Sequence, residues 1–244
     1  MSNFIQTRVL TILAVLLICF TAFFWAPPVQ AASRLEEQVL KIIREHPEAL
    51  IESVQKYQVE QQTQLQQTRQ AFLQDLKINP QQIIGESPVT GNTESKAILV
   101  EFSDFQCPYC AEAHKTLKNL LAKYPDKFTL VYKHFPLPNT HPQAVAAAQA
   151  AWAAQQQGKF WEYEDALFTN QKKLGEDFYV ETAKNLNLDL DKFAQDRAIA
   201  NNTIRKDVLL ATQLGVNGTP FFVLNTDTYS GGIELSEIEN RIKS

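Results

Sequence analysis

The first pattern along the chain is an apolar run, Val9–Ala26, broken only by Thr11 and Thr21 and preceded by a single charge, Arg8. A positive residue before an apolar core is the layout of an export leader, and the small residues at the end of Pro27-Pro28-Val29-Gln30-Ala31 predict cleavage after Ala31. The run is also long enough to cross a bilayer. Residues 1–31 therefore read either as a signal peptide or as a membrane anchor retained through residues 9–26. In both cases Arg8 stays inside and the rest of the chain is carried across the membrane.

From Ser33 the period changes to that of a helix. Ser33-Arg34-Leu35-Glu36 predicts a capping box opening a helix to about Glu45, and a second helical pattern runs from Pro47 to about Leu76. Its apolar positions Leu50, Val54, Tyr57, Leu65, Phe72 and Leu76 form a thin stripe, with nine glutamines between Gln55 and Gln74. Residues 32–84 thus form an N-terminal helical extension. It reads either as a solvated helix packed lightly on the main domain or as a homodimerisation arm whose stripe a partner helix covers.

Beyond a linker signalled by Ser87-Pro88 and Gly91-Asn92, residues 85–244 alternate between the two periods. Ala97–Phe102 predicts a buried strand, Cys107 to about Lys123 a helix, and Phe128–His134 a second strand. A helical block follows from Pro142 to about Leu214, alanine-rich over Ala144–Gln157 and broken at Gly158, Gly175 and Asn187. Phe160, Trp161, Tyr163 and Phe168 have helical spacing there and read as core. Phe221–Leu224 and Thr228–Gly231 predict a hairpin, and about Ser236–Lys243 a closing helix.

Composition narrows the field. The 244 residues are 45% apolar and 20% charged, which suits one domain with an appendage. A net charge of −4 without a basic run excludes a nucleic-acid-binding protein. Three cysteines exclude a disulfide scaffold, and Cys19 departs with a cleaved leader. What remains in a compartment where disulfides persist is one closely spaced pair, Cys107 and Cys110.

Cys107-Pro108-Tyr109-Cys110 stands at a predicted strand-to-helix junction. Thiols three residues apart in the first turn of a helix share a face and can bridge. Helix-start amides and the positive end of the helix dipole stabilise a thiolate on Cys107, while Pro108 suits a position whose N–H is not needed. Cys110, pointing inward, then resolves the mixed disulfide. Two other uses of the pair are weaker. A staple closing so short a loop stabilises little. A metal carrier would add His114 to the two thiols, but a closed zinc site needs a fourth ligand. Phe105 is expected to offer an apolar rim to unfolded clients. Gly218-Thr219-Pro220 precedes the strand at Phe221; spacing alone points to an ordinary trans-proline, whereas a cis bond would let Thr219 present a peptide edge to substrate beside the cysteines.

The segments Val100–Cys110, His134-Phe135-Pro136-Leu137, His141-Pro142, Gly158-Lys159-Phe160-Trp161 and Gly215–Phe222 occur in an order that resembles the DsbA-like thiol-disulfide oxidoreductases of the bacterial cell envelope. The resemblance implies an α/β thioredoxin fold with a helical insertion at about 139–214, between its strand-helix-strand and hairpin-helix halves. It places Pro220 at the family's cis-proline position. It also places Glu101 where relatives carry a buried acid that exchanges a proton with the second cysteine, with Lys133 on the neighbouring strand expected to approach it. It implies an exported dithiol oxidase that donates disulfides to folding exported proteins and is reoxidised by a quinone-linked membrane protein. No bound cofactor is implied, because the Cys107–Cys110 disulfide is itself the redox centre. Strongly oxidising members carry histidine at the position of Tyr109, so a disulfide isomerase or reductase with the same site is the alternative.

Overall fold

A computed structural model of the chain describes residues 30–224, 227–230, 238–240 and 242. The apolar run of the leader and most of the expected closing helix lie outside these residues, although 238–240 are helical and Ile238 and Ile242 are buried. No helix among the described residues is long and apolar enough to cross a membrane.

Contacts divide the chain between Gln61 and Gln62. The first unit holds helix α1 (Gln30–Glu45) and the beginning of helix α2 (Pro47–Ile78). Pro47 opens α2, where its missing N–H has no helical partner to lose. Leu35, Val39 and Ile42 of α1 and Leu50, Val54 and Tyr57 of α2 are all exposed.

The second unit contains the rest of α2, helix α3 (Pro80–Ile84) and a five-stranded sheet. Its strands are β1 (Val89–Gly91), β2 (Ile98–Ser103), β3 (Thr129–His134), β4 (Phe221–Leu224) and β5 (Asp227–Ser230), in the order β1-β3-β2-β4-β5. Strands β2 and β3 are parallel, with helix α4 (Pro108–Lys123) as their crossover, and every other pairing is antiparallel. This is the thioredoxin arrangement. The expected linker at 87–92 contains β1, which pairs Val89 with Val131. Three residues are too few for a period to show in the sequence, and Gly91 ends the strand with φ 83, where a Cβ would collide with the Phe128 carbonyl.

The alternation along β2 settles the two faces of the sheet. Val100 and Phe102 pack with Val131, Val223, Phe72 and Leu76, so the second half of α2 is a core element of its unit rather than a lightly packed helix. Leu99 faces the other way, onto Ala113, Leu117 and Leu120 of α4. Glu101 shares that second face, two residues along the same strand.

The insertion consists of α5 (Ala144–Gln155), α6 (Phe160–Thr169), a single 3-10 turn (Gln171–Lys173), α7 (Glu176–Asn185), α8 (Leu190–Ile199) and α9 (Asn201–Gln213). Alanines bury α5 on nearly every side, which small, strongly helix-forming residues permit where neighbours approach closely. Phe160, Tyr163 and Phe168 are core, as their spacing predicts. Gly158 and Asn187 end helices at φ 72 and 56, whereas Gly175 is extended.

Candidate active site

Strand β2 ends at Ser103 and the chain turns through Asp104-Phe105-Gln106 into α4. The turn is fixed by Asp104, whose buried carboxylate accepts hydrogen bonds from the Gln106 N–H at 2.8 Å, the Leu137 N–H at 2.9 Å and His141 Nδ1 at 2.9 Å. Gln171, in the 3-10 turn, donates from Nε2 to the carbonyls of Phe105 and Cys107, both at 2.8 Å. These two residues set the backbone from which the first cysteine projects. Asp104 bonding two residues ahead was readable in principle as an Asx turn. Gln171 lies 64 residues from its target and leaves no local signal.

Cys107 is the N-cap of α4, with extended backbone, and Pro108 is the first helical residue. Both cysteines are free thiols, so the structure is that of the reduced pair. Cys107 Sγ lies 3.4 Å from the Thr219 carbonyl oxygen, and the Thr219–Pro220 bond is cis. The segment leading to that bond is held by α2: Arg69 Nε donates to the Leu214 carbonyl at 2.8 Å, and its guanidinium lies 6.0 Å from the centre of the Phe221 ring. Residues 112 apart in sequence therefore meet at the thiol.

Tyr109 is 67% exposed, whereas Phe105 is 1% exposed. Phe105 does not form the expected rim. It is drawn into the insertion's core, its ring 5.3 Å from Tyr132 and 5.0 Å from Phe168. The exposed aromatic beside the thiols is Tyr109.

The two thiols are electrostatically opposite. A hydrogen bond from the Cys110 thiol contributes most to pulling Cys107 down to about 5, against the cost of burial, with the Thr219 side chain, not its carbonyl, and the amides of Cys110 and Tyr109 adding to the effect. The helix-start amides anticipated from the sequence are thus present but secondary. Burial pushes Cys110 far up, and its bond to Cys107 and the nearby Cys107 and Glu101 charges push in the same direction. Burial likewise raises Glu101 to about 8, helped by the Glu164 carboxylate and opposed by Ser103 and His114. At neutral pH the site therefore holds a thiolate, a thiol and a carboxylic acid.

Lys133 does not approach Glu101. In the β2–β3 register Glu101 is level with Tyr132 and Lys133 with Phe102, so the lysine faces the opposite side of the sheet. There it pairs with buried Asp207 at 3.3 Å. His114 is also placed differently from a third metal ligand: its Nδ1 lies 3.0 Å from Glu164 Oε1 and its Nε2 2.9 Å from Asp165 Oδ1. With both ring nitrogens engaged it has no lone pair free for a metal held by the thiols. Among the described residues no group of three or more His, Cys, Asp or Glu side chains is arranged to hold a metal ion.

A family model described as thioredoxin matches residues 84–244. The chain belongs to the thioredoxin family. Among solved members of this fold, a thioredoxin-like oxidoreductase from Silicibacter pomeroyi DSS-3 is 32% identical, with a TM-score of 0.60 over 65% of this chain and 91% of that one. ScsC from Proteus mirabilis, in a transitional conformation, is 25% identical, with a TM-score of 0.61 over 88% of this chain and 97% of its own. The thiol-disulfide exchange protein α-DsbA2 from Wolbachia pipientis shares the fold at 21% identity and a TM-score of 0.62, over 71% of this chain and 95% of that one. A curated relative, a Na(+)/H(+) antiporter NhaA 3 from Salinispora tropica, is 37% identical over 159 residues, which is 64% of this chain. This thioredoxin-family chain spans only 24% of that protein's length.

Proposed function

We propose that this DsbA-like thiol-disulfide oxidoreductase works outside the cytoplasm as a dithiol oxidase, donating the Cys107–Cys110 disulfide to folding exported proteins. The observation that carries the reading is the setting of Cys107, N-cap of α4 beside the cis Thr219–Pro220 bond, where the Cys110 thiol and the helix-start amides lower its pKa while burial raises that of Cys110. A stabilised thiolate favours the reduced enzyme, and a favoured reduced form makes the disulfide a better oxidant. Export is supported by the single charge before the Val9–Ala26 run. A periplasmic thioredoxin-like protein from Salmonella enterica serovar Typhimurium, 24% identical with a TM-score of 0.56, has the same fold.

In the forward reaction a client thiolate attacks Cys107 Sγ and the Cys107–Cys110 bond breaks. Cys110 leaves with the electron pair and takes the proton of the Glu101 carboxyl. A second client thiolate attacks the client sulfur of the mixed disulfide, and Cys107 leaves as the thiolate that its surroundings favour. The client loses two electrons and the enzyme gains them; a quinone-linked membrane protein then removes them. The half-buried Thr219 peptide and Pro220 border the attacked sulfur, where an extended client segment would lie.

The deciding measurement is the reduction potential of the pair in glutathione buffers. An oxidase requires a value near about −120 mV, whereas one near or below about −200 mV assigns the site to an isomerase or reductase.

That second reading has an observation of its own. The exposed apolar side chains of α1 and of the first turns of α2 are those a homodimer would cover, placing two thiol sites in one assembly. Light scattering of residues 32–244 is expected to give the mass of a dimer, and a monomer mass removes the argument from the arm.

A further inference from the structure

Each turnover makes Glu101 give a proton to Cys110, or take one, and then exchange it with water. Glu101 is 1% exposed and stands on β2, inside the sheet between β3 and β4. Among the described residues, its Oε1 and the buried Tyr132 OH, level with Glu101 on β3, have no hydrogen-bond partner. A donor buried in this way must be recharged through other groups.

A route leads away from Glu101 beneath α4. Glu164 of α6 is buried and near enough for its charge to act on Glu101, as is His114, one helical turn beyond Cys110. His114 joins buried Glu164, at 3.0 Å from Nδ1, to Asp165, at 2.9 Å from Nε2. The Asp165 side chain is 41% exposed and accepts from Lys118 Nζ at 2.6 Å. All four side chains, with Leu117 and Trp161, line an open cavity of about 300 Å³. An imidazole held through both nitrogens can accept a proton on one and release one from the other, and here one nitrogen faces the interior and the other the surface.

We propose that His114, held between Glu164 and Asp165, carries protons between the buried Glu101 and bulk water. The inference rests on the oxidoreductase reading above and adds the path its proton takes. When Cys110 leaves as a thiolate, Glu101 protonates it. The Glu101 carboxylate then recovers a proton by way of Glu164 and His114, whose own proton is replaced from water at Asp165. Reoxidation of the dithiol runs the same transfers outward. Burial works against the imidazolium, but the bonds to Glu164 and Asp165 outweigh it and raise the pKa of His114. His114 acts through Glu101 and touches neither sulfur, so it positions and supplies a proton rather than reacting.

The experiment is stopped-flow reduction of the oxidised full-length protein by a dithiol peptide, in weak buffer at neutral pH, with and without added imidazole. His114→Ala is expected to slow reduction by at least about tenfold, less than the roughly 10²-fold or more of a direct acid–base group because His114 acts through Glu101. Free imidazole, small enough for the cavity, should restore the rate, a rescue that a merely structural role for His114 would not give. Asp165→Asn, at the exposed end, should also be slowed and carries the test if His114→Ala does not fold. An unchanged rate in the variant that folds overturns the relay, and so does a loss in His114→Ala that imidazole leaves unrestored. Failure of the wild type itself to be reduced by the peptide would instead remove the oxidoreductase reading.

Discussion

Cys107→Ser abolishes disulfide exchange, while Cys110→Ser is expected to accumulate mixed disulfides with client proteins. The difference follows from their positions. Cys107 caps α4 beside the Thr219 carbonyl, is 4% exposed against 0% for Cys110, and is the thiolate of the pair, so without it no sulfur is left for a client to reach. Cys110, fully buried, is the leaving group when the disulfide opens and the thiol that releases what Cys107 has captured. Non-reducing electrophoresis of cell extracts checks both outcomes, and the absence of trapped adducts with Cys110→Ser would refute the resolving role. The same pair predicts a pH effect. The Cys110 thiol is the largest influence lowering Cys107, so alkylation of wild-type Cys107 should titrate with a midpoint near 5. In Cys110→Ala, which removes that donor, the midpoint should move upward toward the ordinary thiol value. An unmoved midpoint would assign the effect to the helix amides instead.

Glu101→Gln should slow exchange and stabilise the fold, the second effect depending on pH. The folded carboxyl titrates near 8 against an ordinary value of 4.5, so it stays protonated when the unfolded chain has already ionised. A raised pKa contributes stability that is complete below the unfolded value and is lost as pH rises through the folded one. Between the two values each pH unit costs about 1.4 kcal/mol, so at neutral pH the burden is on the order of 3 kcal/mol. Glutamine keeps the shape without ionising. The variant should therefore gain little Tm at pH 4.5 and several degrees near pH 8, while exchange falls by about 10²-fold, a usual loss for a missing proton donor or acceptor. Equal Tm gains at both values would mean that Glu101 is not held neutral by burial, and unchanged kinetics would take it out of the proton step.

Much of this architecture is local, and local physics is legible in a sequence. The strand at 97–102, the helix that opens at Pro108, the breaks at Gly158 and Asn187 and the aromatic core of the insertion all follow from apolar period and backbone preference. The motif Cys107-Pro108-Tyr109-Cys110 carries its chemistry in its spacing. Strand β1 escaped because three residues make no pattern. The burial of Phe72 and Leu76 escaped because a polar, glutamine-rich helix does not announce which of its turns meets a sheet.

The sequence by itself determined that the chain carries one reactive thiol pair at a helix start, and that it resembles the DsbA-like proteins. Only the tertiary structure decided what surrounds that pair. Which side of β2 Glu101 occupies depends on strand register, and a shift of one residue would have paired it with Lys133 as expected. Phe105 is core and Tyr109 exposed, although both flank the motif, because helices inserted after β3 close over one and not the other. His114 meets Glu164 and Asp165 across 50 and 51 residues. Gln171, 64 residues beyond Cys107, holds the carbonyl of the reactive cysteine. A dithiol can be read from spacing, but its acidity, its proton donor and its contact with the Thr219 carbonyl come from groups that folding alone brings within hydrogen-bonding distance.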